Sequence, residues 1–409
     1  MPRQEAVPEK LTNMNGPFVT PDWVGHTTIY EVNLRQYTSQ GTMLAFMQEL
    51  PRLKELGVET LWFMPLTPIA KQKRKGSLGC YYACSDYTSI NPEFGTAEDF
   101  KQLVAQAHQL GFKIIIDWVA NHTGWDHQWT KLHPDYYLKD STTGTFQIAS
   151  GMDDIIELDF SNPALRRAMI DAMKYWVTNF DIDGFRCDLA FWVELDFWKE
   201  ARTELDQLKP LFWFGEYDEL EKPEYGQAFD ASYTWTWMHR AKDFYQQRWA
   251  LDSLYVVLDK YDAIGDSTLR AWFTTNHDEN SWNGTIQSRL GAAEEAMTAL
   301  TYIMPGMPLV YSGNEYGLKH SLKFFEKDSI PKTKGKEWEL RAKLGQLKNE
   351  NPALNGGKNP ASYKRILTND DTKILAFERE KDGKKIIYIA NLSNQTIETK
   401  IQLKGDFTD

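Results

Sequence analysis

Short apolar runs alternate with amphipathic stretches along most of the chain. "TTIYEVNLRQYT" (27–38) predicts a first strand, and the stretch through "MLAFMQELPRLKELG" follows it with helical periodicity. Pro51 should kink this stretch or begin a second helix within it. "ETLWFMPLTP" predicts the second strand. The chain therefore begins as a strand–helix alternation, which is typical of α/β proteins.

Two further helices carry clear end signals. "TAEDFKQLVAQAHQLG" has Thr96 as N-cap and is closed by Gly111. A helix over 163–180 has Asn162 as N-cap and a proline at its first position. Between them, "FKIIIDWVANH" predicts a buried strand that ends in polar residues. The helix–strand alternation thus continues through the third strand.

The alternation runs on to "MPLVYSGNEYG". Strands are predicted at "DGFRCDLA", "LFWFGEY", "ASYTWTW", "LRAWFTTNHDEN" and "MPLVYSGNEYG", with helices near 195–209, near 253–264 and through "EEAMTALTYI". Eight strands separated by helices indicate a closed parallel barrel, so the predicted fold class is α/β with a (β/α)8 TIM barrel.

Two segments depart from the alternation. Residues 123–160 are rich in Trp, His, Asp and Gly without a clear period, and they predict a small lobe inserted after the third strand. After "NENPALNGG", the β-branched stretches "KKIIYIANLS" and "TIETKIQL" predict strands. We expect a catalytic barrel at 1–354 and a C-terminal β-sandwich domain at 355–409, short enough to be truncated.

Charge and composition argue against several kinds of binding partner and protein class. The net charge of −11 and the lack of a basic cluster beyond "KQKRK" (71–75) argue against nucleic acid and do not favour an anionic membrane. The start "MPRQEAVPEK" has no signal-peptide core, and no run reaches membrane length. The chain as given is expected to be cytoplasmic, or exported if a leader was removed. Cys80, Cys84 and Cys187 make neither a disulfide framework nor a zinc motif.

The chain is rich in aromatic residues, with 15 Trp, 19 Tyr and 21 Phe. Several tryptophans lie beside polar, turn-like sequence, where flat rings would serve as platforms for a ligand with apolar faces and hydroxyl edges. These are Trp125, Trp129, Trp235, Trp237 and Trp282. Taken singly, each is better explained by packing than by a platform role.

Polar residues collect where four predicted strands end, which is where barrel enzymes place their active sites. They are Asp117, Asn121 and His122 after the third strand, Arg186 and Asp188 on the fourth, Glu216 on the fifth, and His277 and Asp278 after the seventh. Four such ends on one barrel indicate an active site built on carboxylates.

The carboxylates suit glycoside cleavage, which needs one ionised and one protonated carboxyl group. Residues two apart in a strand share a side, so Arg186 and Asp188 should emerge together. The guanidinium is expected to lower the pKa of Asp188, typically by about one to three units. Glu216 follows the apolar "LFWFG", and burial there would raise its pKa. A surface ion pair remains the alternative for Arg186 and Asp188.

The motifs resemble those of the α-amylase family, glycoside hydrolase family thirteen, along nearly the whole chain. In order they are "YYACSDY", "DWVANH", "GFRCDLA", "FGE", "TNHDEN" and "GMPLVYSGNEYG". The resemblance implies that Asp188 is the nucleophile, Glu216 the general acid/base and Asp278 the transition-state stabiliser. It also implies a sugar subsite shaped by Tyr82, His122, Arg186 and His277 and supported by Asp117.

The resemblance also raises calcium as a structural cofactor. Asn121 matches the family's calcium-binding asparagine, and Asp154 lies where a further ligand is expected; hard oxygen ligands suit this ion. A purely structural asparagine is the alternative. Many α-amylases carry Lys-His after the nucleophile, where this chain has Phe191 and Trp192. That difference removes one usual calcium contact and one contact to the leaving-side sugar.

The leading hypothesis is a retaining glycoside hydrolase that cleaves α-1,4-glucosidic bonds in starch, maltodextrin or related α-glucans, without an organic cofactor. One alternative keeps the chemistry but is an exo-acting α-glucosidase or a glucanotransferase. A remote alternative is a non-catalytic carbohydrate-binding relative. Such relatives usually lose an acid, and this chain keeps all three.

Overall fold

The computed structural model describes residues 18–265, 268–355, 360–403 and 406–408 of the 409. Two stretches used in the sequence analysis lie outside these ranges: the start "MPRQEAVPEK", which was examined for a signal peptide, and the last residues of "NENPALNGG", which were placed at the domain boundary. The strands in chain order are β1 Ile29–Val32, β2 Thr60–Phe63, β3 Lys113–Trp118, β4 His122–Gly124, β5 Ile148–Ala149, β6 Met152–Glu157, β7 Gly184–Cys187, β8 Phe212–Asp218, β9 Ala231–Tyr233, β10 Leu269–Trp272, β11 Met307–Tyr311, β12 Ser362–Arg365, β13 Ile374–Lys381 and β14 Lys384–Asn391.

The helices are interleaved with these strands. They are α1 Leu34–Tyr37, α2 Met43–Met47, α3 Leu50–Glu55, α4 Ala97–Gln109, α5 Trp129–Leu132, α6 Pro163–Phe180, α7 Leu195–Leu205, α8 Trp235–Gln246, α9 Asp252–Ala263, α10 His277–Trp282, α11 Ile286–Leu290, α12 Glu294–Ile303, α13 Lys336–Glu350 and α14 Pro352–Asn355. In the part of the chain that is described, none of them has the length and apolarity to cross a bilayer.

Eight strands form one closed barrel in the order β1-β11-β10-β9-β8-β7-β3-β2. All pairings in it are parallel, and the ring closes because β1 pairs with both β2 and β11. The predicted (β/α)8 barrel is confirmed. In the β3–β7 ladder Asp117 lies opposite Arg186, which brings two predicted site residues together.

The predicted helix starts are also confirmed. Thr96 caps α4 by accepting from the amide of Asp99, whose carboxylate bonds back to Thr96. Asn162 caps α6, accepting from the amide of Ala164. Pro51 lies in the first turn of α3, so it begins a second helix after α2. These local signals fix where the barrel's outer helices begin.

Three predicted strands are shorter than the sequence pattern suggested. The first ends at Val32, because the chain turns into α1. "ASYTWTW" supplies the three-residue β9, and its second half belongs to α8. The end of "LRAWFTTNHDEN" is helical from His277: Asn276 caps α10 by accepting from the amide of Glu279, and the acids in the first turn favour a helix start. Helix signals therefore outweigh β-propensity at these strand ends.

The two predicted appendages are both antiparallel sheets. The inserted lobe holds the sheet β4-β6-β5, and the C-terminal part holds β12-β13-β14. "KKIIYIANLS" forms β14, but the prediction of a strand at "TIETKIQL" (396–403) is wrong. There the amide of Lys400 bonds to the side chain of Asn369 instead of a neighbouring strand. The boundary at 354/355 and the sandwich form stay predictions.

Aromatic side chains fill the barrel beneath its C-terminal end. Trp62, Phe214 and Tyr233 are buried in one cluster of inward-facing residues. The rings of Phe214 and Tyr233 stack at 4.8 Å between centroids. This packed floor supports the charged residues above it.

Candidate active site

Arg186 on β7 joins three carboxylates at the C-terminal end of the barrel. Its buried Nη1 donates to Asp117 Oδ1 at 3.0 Å and to Asp188 Oδ1 at 2.8 Å. Its Nη2 lies 2.8 Å from Glu216 Oε2, at ion-pair distance but outside hydrogen-bond geometry. Four residues predicted on three different strands are thus brought into one cluster.

The guanidinium is fixed from below by the aromatic floor. Nε of Arg186 donates to the hydroxyl of Tyr233 at 3.0 Å. Its Cζ lies 4.7 Å from the centre of the Trp62 ring, a favourable cation–π distance. Because the planar guanidinium has a rigid set of donors, it holds Asp188 and Glu216 in a defined relation to each other.

Burial raises the pKa of both candidate catalytic carboxyls. Burial raises the pKa of Asp188 to about 6, and the guanidinium of Arg186 offsets only part of this rise. Arg186 lowers the pKa of Asp188 as predicted, but burial outweighs it and the net shift is upward. Burial, with help from the Asp188 and Asp278 carboxylates, raises the pKa of Glu216 to about 7, in the predicted direction.

The turn after Asp188 connects the two carboxyls. Leu189 has φ of 41°, in the left-handed region that is costly for a residue with a side chain. This turn directs its amide to Glu216 Oε2 at 2.8 Å. Asp188 Oδ2 is buried and has no hydrogen-bond partner among the described residues, while Oδ1 is held by Arg186. One carboxylate oxygen of Asp188 is therefore left for chemistry.

Asp117 and Tyr82 support this arrangement. Asp117 Oδ2 accepts from the Tyr82 hydroxyl at 2.8 Å and from Trp62 Nε1 at 3.2 Å. One face of the Tyr82 ring stacks on His277, with centroids 5.1 Å apart. Asp117 is thus fully occupied by neighbouring side chains, which suits the predicted supporting role.

His122 offers an unoccupied donor. Burial lowers its pKa to about 4, so the imidazole is neutral. The amide nitrogen of Asn121 lies 3.2 Å from Nδ1, which therefore accepts, and the ring proton is on Nε2. Nε2 is buried without a partner in the part of the chain described, and His122 lines the cleft. This donor suits a ligand hydroxyl.

His277 is held by Glu31, a residue that the sequence interpretation missed. Glu31 Oε1 lies 2.5 Å from His277 Nδ1, and His277 Nε2 lies 3.4 Å from Asp278 Oδ2. Burial alone lowers the pKa of His277, but the carboxylates of Asp278 and Glu31 outweigh it and raise the pKa to about 9. The available signal was a single acid inside the apolar run "TTIYEV".

These side chains line a cleft of about 580 Å³. Its wall consists of Lys75, Cys80, Tyr82, His122, Met152, Asp154, Ile155, Asp188, Leu189, Trp192, Glu216, His277, Asp278, Trp282, Phe324 and Phe325. Of the five tryptophans predicted as platforms, Trp282 lines the cleft and is 58% exposed. Trp237, by contrast, is 1% exposed and is core packing.

The two residues predicted to bind calcium do not lie together. The carbonyl of Asn121 accepts from the amide of Leu158, and Asp154 lies four residues earlier, about 13 Å along the strand at the usual rise. Asp154 Oδ1 is instead 3.0 Å from the ammonium of Lys75. Asp154 is thus held in an ion pair, and calcium binding by Asn121 and Asp154 stays a prediction.

Comparison with known proteins agrees with this geometry. Residues 21–142 and 134–353 match the family model described as alpha amylase, catalytic domain. The structure of a noncanonic maltogenic alpha-amylase, AmyB, from Thermotoga neapolitana is 32% identical, with a TM-score of 0.83 over 90% of this chain and 86% of that one. An alpha-amylase from Lactobacillus plantarum is 29% identical, with a TM-score of 0.84 over 94% and 92%.

A curated relative is also named an alpha-amylase. Alpha-amylase 3 of Dictyoglomus thermophilum is 24% identical over 91% of this chain and 85% of its own length. The family match spans the barrel strands and every carboxylate joined by Arg186. The chain therefore belongs to the alpha-amylase family, glycoside hydrolase family 13, and is a glycoside hydrolase.

Proposed function

We propose that the protein hydrolyses α-1,4-glucosidic bonds in starch, maltodextrin or related α-glucans and retains the anomeric configuration. The observation that carries the proposal is the shared guanidinium of Arg186. It holds Asp188 beside Glu216 while Asp188 Oδ2 has no partner among the described residues. The names of relatives, alpha-amylase and maltogenic amylase, support the α-glucan substrate class.

The first step forms a glycosyl ester. Oδ2 of Asp188 attacks the anomeric carbon, the bond from that carbon to the leaving oxygen breaks, and Glu216 gives its proton to the departing oxygen. The acid role of Glu216 is supported because burial, with the Asp188 and Asp278 carboxylates, raises its pKa to about 7 and so favours its protonated form. Direct attack requires the two carboxyl groups to stand about 5–5.5 Å apart.

The second step releases the sugar. Glu216, now a carboxylate, takes a proton from water as the water oxygen attacks the anomeric carbon, and the ester bond to Asp188 breaks. This returns both residues to their starting protonation states. Asp278 and His277 lie beside the reacting sugar: the Asp278 carboxylate stabilises its developing positive charge, and His277 binds its hydroxyls. The Nε2 proton of His122 binds a further hydroxyl.

The proposal is tested by a product time course from maltoheptaose and starch, resolved by chain length, with NMR of the first anomer formed. An α-anomer and cleavage within the chain are expected. Asp188→Asn is the matched control and should abolish turnover while leaving the fold intact. A β-anomer would overturn retention, and intact maltoheptaose would overturn the proposed activity. Release of single glucose units, or longer products, would favour the α-glucosidase or the glucanotransferase alternative instead.

A further inference from the structure

The basic run "KQKRK" (71–75) belongs to a strap, residues 71–79, in the connection between β2 and α4. The strap runs from the inserted lobe to a barrel segment, residues 323–326, that follows β11. Asp154 of the lobe and Phe325 of the barrel segment both line the cleft. The strap therefore connects two walls of the cleft.

One end of the strap is tied to the lobe. The ammonium of Lys73 lies 3.5 Å from the centre of the Trp125 ring, a short cation–π distance. Lys73 has φ of 57°, a strained backbone conformation for a residue with a side chain, at the point where it meets the ring. Asp126 Oδ2 accepts from two amides of the strap at 2.9 and 3.2 Å. One face of Trp125, a predicted platform, is thus covered by the strap.

The other end of the strap is tied to the barrel segment. The amide of Leu78 donates to the carbonyl of Phe325 at 3.0 Å, and the amide of Ser77 donates to Glu326 Oε1 at 2.7 Å. The barrel segment is itself fixed, because Nε2 of Gln36 on α1 donates to the carbonyl of Glu326 at 2.8 Å. The lobe is therefore linked through the strap to a fixed point on the barrel.

Gly76 is where the strap comes closest to the barrel segment. A Cβ added at Gly76 would lie 2.5 Å from the Cβ of Phe325 and 2.9 Å from its carbonyl oxygen. An alanine at this position would push the strap and Phe325 apart. Gly76 and Trp125 lie outside the cleft lining, so neither contacts a bound glucan directly.

Resting on the proposed function, we propose that the strap sets the spacing of the lobe and the barrel segment, and that Trp125 and Gly76 are positioning residues for binding of long α-glucans. Walls that are held in place before binding cost less entropy than walls that the ligand must order. The chemical step does not depend on the strap, because Arg186 holds Asp188 and Glu216. Release of either end of the strap weakens glucan binding and leaves kcat unchanged.

The test compares Gly76→Ala with Gly144→Ala, the matched control. Both glycines lie in the left-handed region, with φ of 65° and 69°, so alanine strains the backbone at both. A Cβ at Gly144 meets no atom within 4 Å, so the difference between the variants reports the contact with Phe325. We expect Gly76→Ala to raise KM for maltoheptaose by about tenfold, since a misplacement of about 1 Å costs up to about 10²-fold. Gly144→Ala should keep the wild-type KM, and both should keep the wild-type kcat.

The lobe end is tested in the same way. Trp125→Ala should raise KM for maltoheptaose to a similar extent, and Trp125→Phe, which keeps a ring for Lys73, should restore most of the wild-type value. Because one strap serves both ends, the double variant of Gly76→Ala and Trp125→Ala should bind no more weakly than either single variant. Two independent local effects would add instead.

Additive losses, or equal KM values in Gly76→Ala and Gly144→Ala, would overturn the strap and leave the proposed function standing. If Gly76→Ala does not fold, the two Trp125 variants decide: equal KM values in them would overturn the strap. If the wild-type protein does not cleave maltoheptaose, the proposed function fails, and calorimetry of maltoheptaose binding to Asp188→Asn decides the strap alone. A Kd about tenfold weaker on adding Gly76→Ala would support it, and an unchanged Kd or no binding would overturn it.

Discussion

The carboxylate of Glu31 and the imidazole of His277 lie 2.5 Å apart, although 246 residues separate them along the chain. Both side chains are buried, at 0% and 2% exposure. Since Nδ1 of His277 is taken by Glu31, Nε2 is the nitrogen left to face Asp278 and a substrate. Glu31 is therefore a positioning residue: it orients the ring and keeps it positively charged without touching substrate.

Replacing Glu31 by Gln should discharge His277 at neutral pH. Without the Glu31 carboxylate the pKa of His277 falls from about 9, because burial still disfavours the imidazolium. Losing one hydrogen bond between charged groups should lower kcat/KM by about tenfold to a hundredfold, or about 1.5–3 kcal/mol. NMR titration of the His277 ring, together with separate kcat and KM values, measures both effects.

Glu98→Gln, an exposed acid in the first turn of α4, is the control and should change neither quantity. A His277 that still titrates near pH 9 in Glu31→Gln would contradict the role given to Glu31.

The pH dependence of kcat/KM should be bell-shaped. Activity requires ionised Asp188, so it is lost as pH falls through about 6. It also requires protonated Glu216, so it is lost as pH rises through about 7. Glu216→Gln should cut turnover of maltoheptaose by about 10²–10⁴. On 4-nitrophenyl α-maltoside, whose leaving group needs no proton, the variant should keep its kcat/KM and lose the alkaline limb, while kcat falls because Glu216 is also the base of the second step. An alkaline limb that persists would show that another group is the acid.

Chelation should leave thermal stability unchanged. Asp154 is paired with the ammonium of Lys75, so we expect EDTA to leave that position undisturbed. Lys75→Met should lower stability by about 1 kcal/mol or less, since Lys75 is 36% exposed and solvent screens the pair. Thermal melting curves of the protein with EDTA and with calcium, and of the Lys75→Met variant, measure these changes in Tm. A rise in Tm on adding calcium would contradict this expectation and support calcium binding.

Lys348 should make stability rise with pH. Burial lowers its pKa to about 7, whereas a lysine in the unfolded chain titrates near 10.4. Between these values the unfolded chain binds a proton that the folded chain does not, so the free energy of unfolding increases with pH. Lys348→Met should remove this rise in urea unfolding at pH 7, 8 and 9.

The slopes of unfolding free energy against pH are compared between variants because His277 changes stability with pH in the opposite direction. Its pKa is raised to about 9 in the folded state, so its contribution is lost as pH rises through that value. Lys343→Met, an exposed lysine on the same helix as Lys348, is the matched control and should keep the wild-type slope. Equal slopes in all three proteins would rule out a buried, titrating Lys348.

The sequence predicted the barrel because its signals are local. The cap at Asn162, the cap at Thr96 and the run of eight strand candidates need no knowledge of distant partners. Barrel topology then brings strand ends to one face, which is why Asp117, Arg186, Asp188 and Glu216 were grouped correctly.

Longer-range features escaped prediction. Glu31 gains its role from a residue in the seventh β/α unit, and no periodicity within β1 reveals it. The register of β4 against β6 separates Asn121 from Asp154, and lobe sequence without a period does not specify a register. The sign of the pKa shift of Asp188 depends on how deeply the pair is buried, which spacing in a strand does not show.

The ring of strands has a consequence for how function appears during folding. The contact between Glu31 and His277 crosses the seam where β1, the first barrel strand, meets β11 and β10 at the end of the barrel. A chain that has assembled only its first strands has already paired Asp117 with Arg186 but still lacks this contact. Recovery of turnover in a refolding experiment therefore reports when the ring of strands closes. Turnover should recover more slowly than the helical circular dichroism signal.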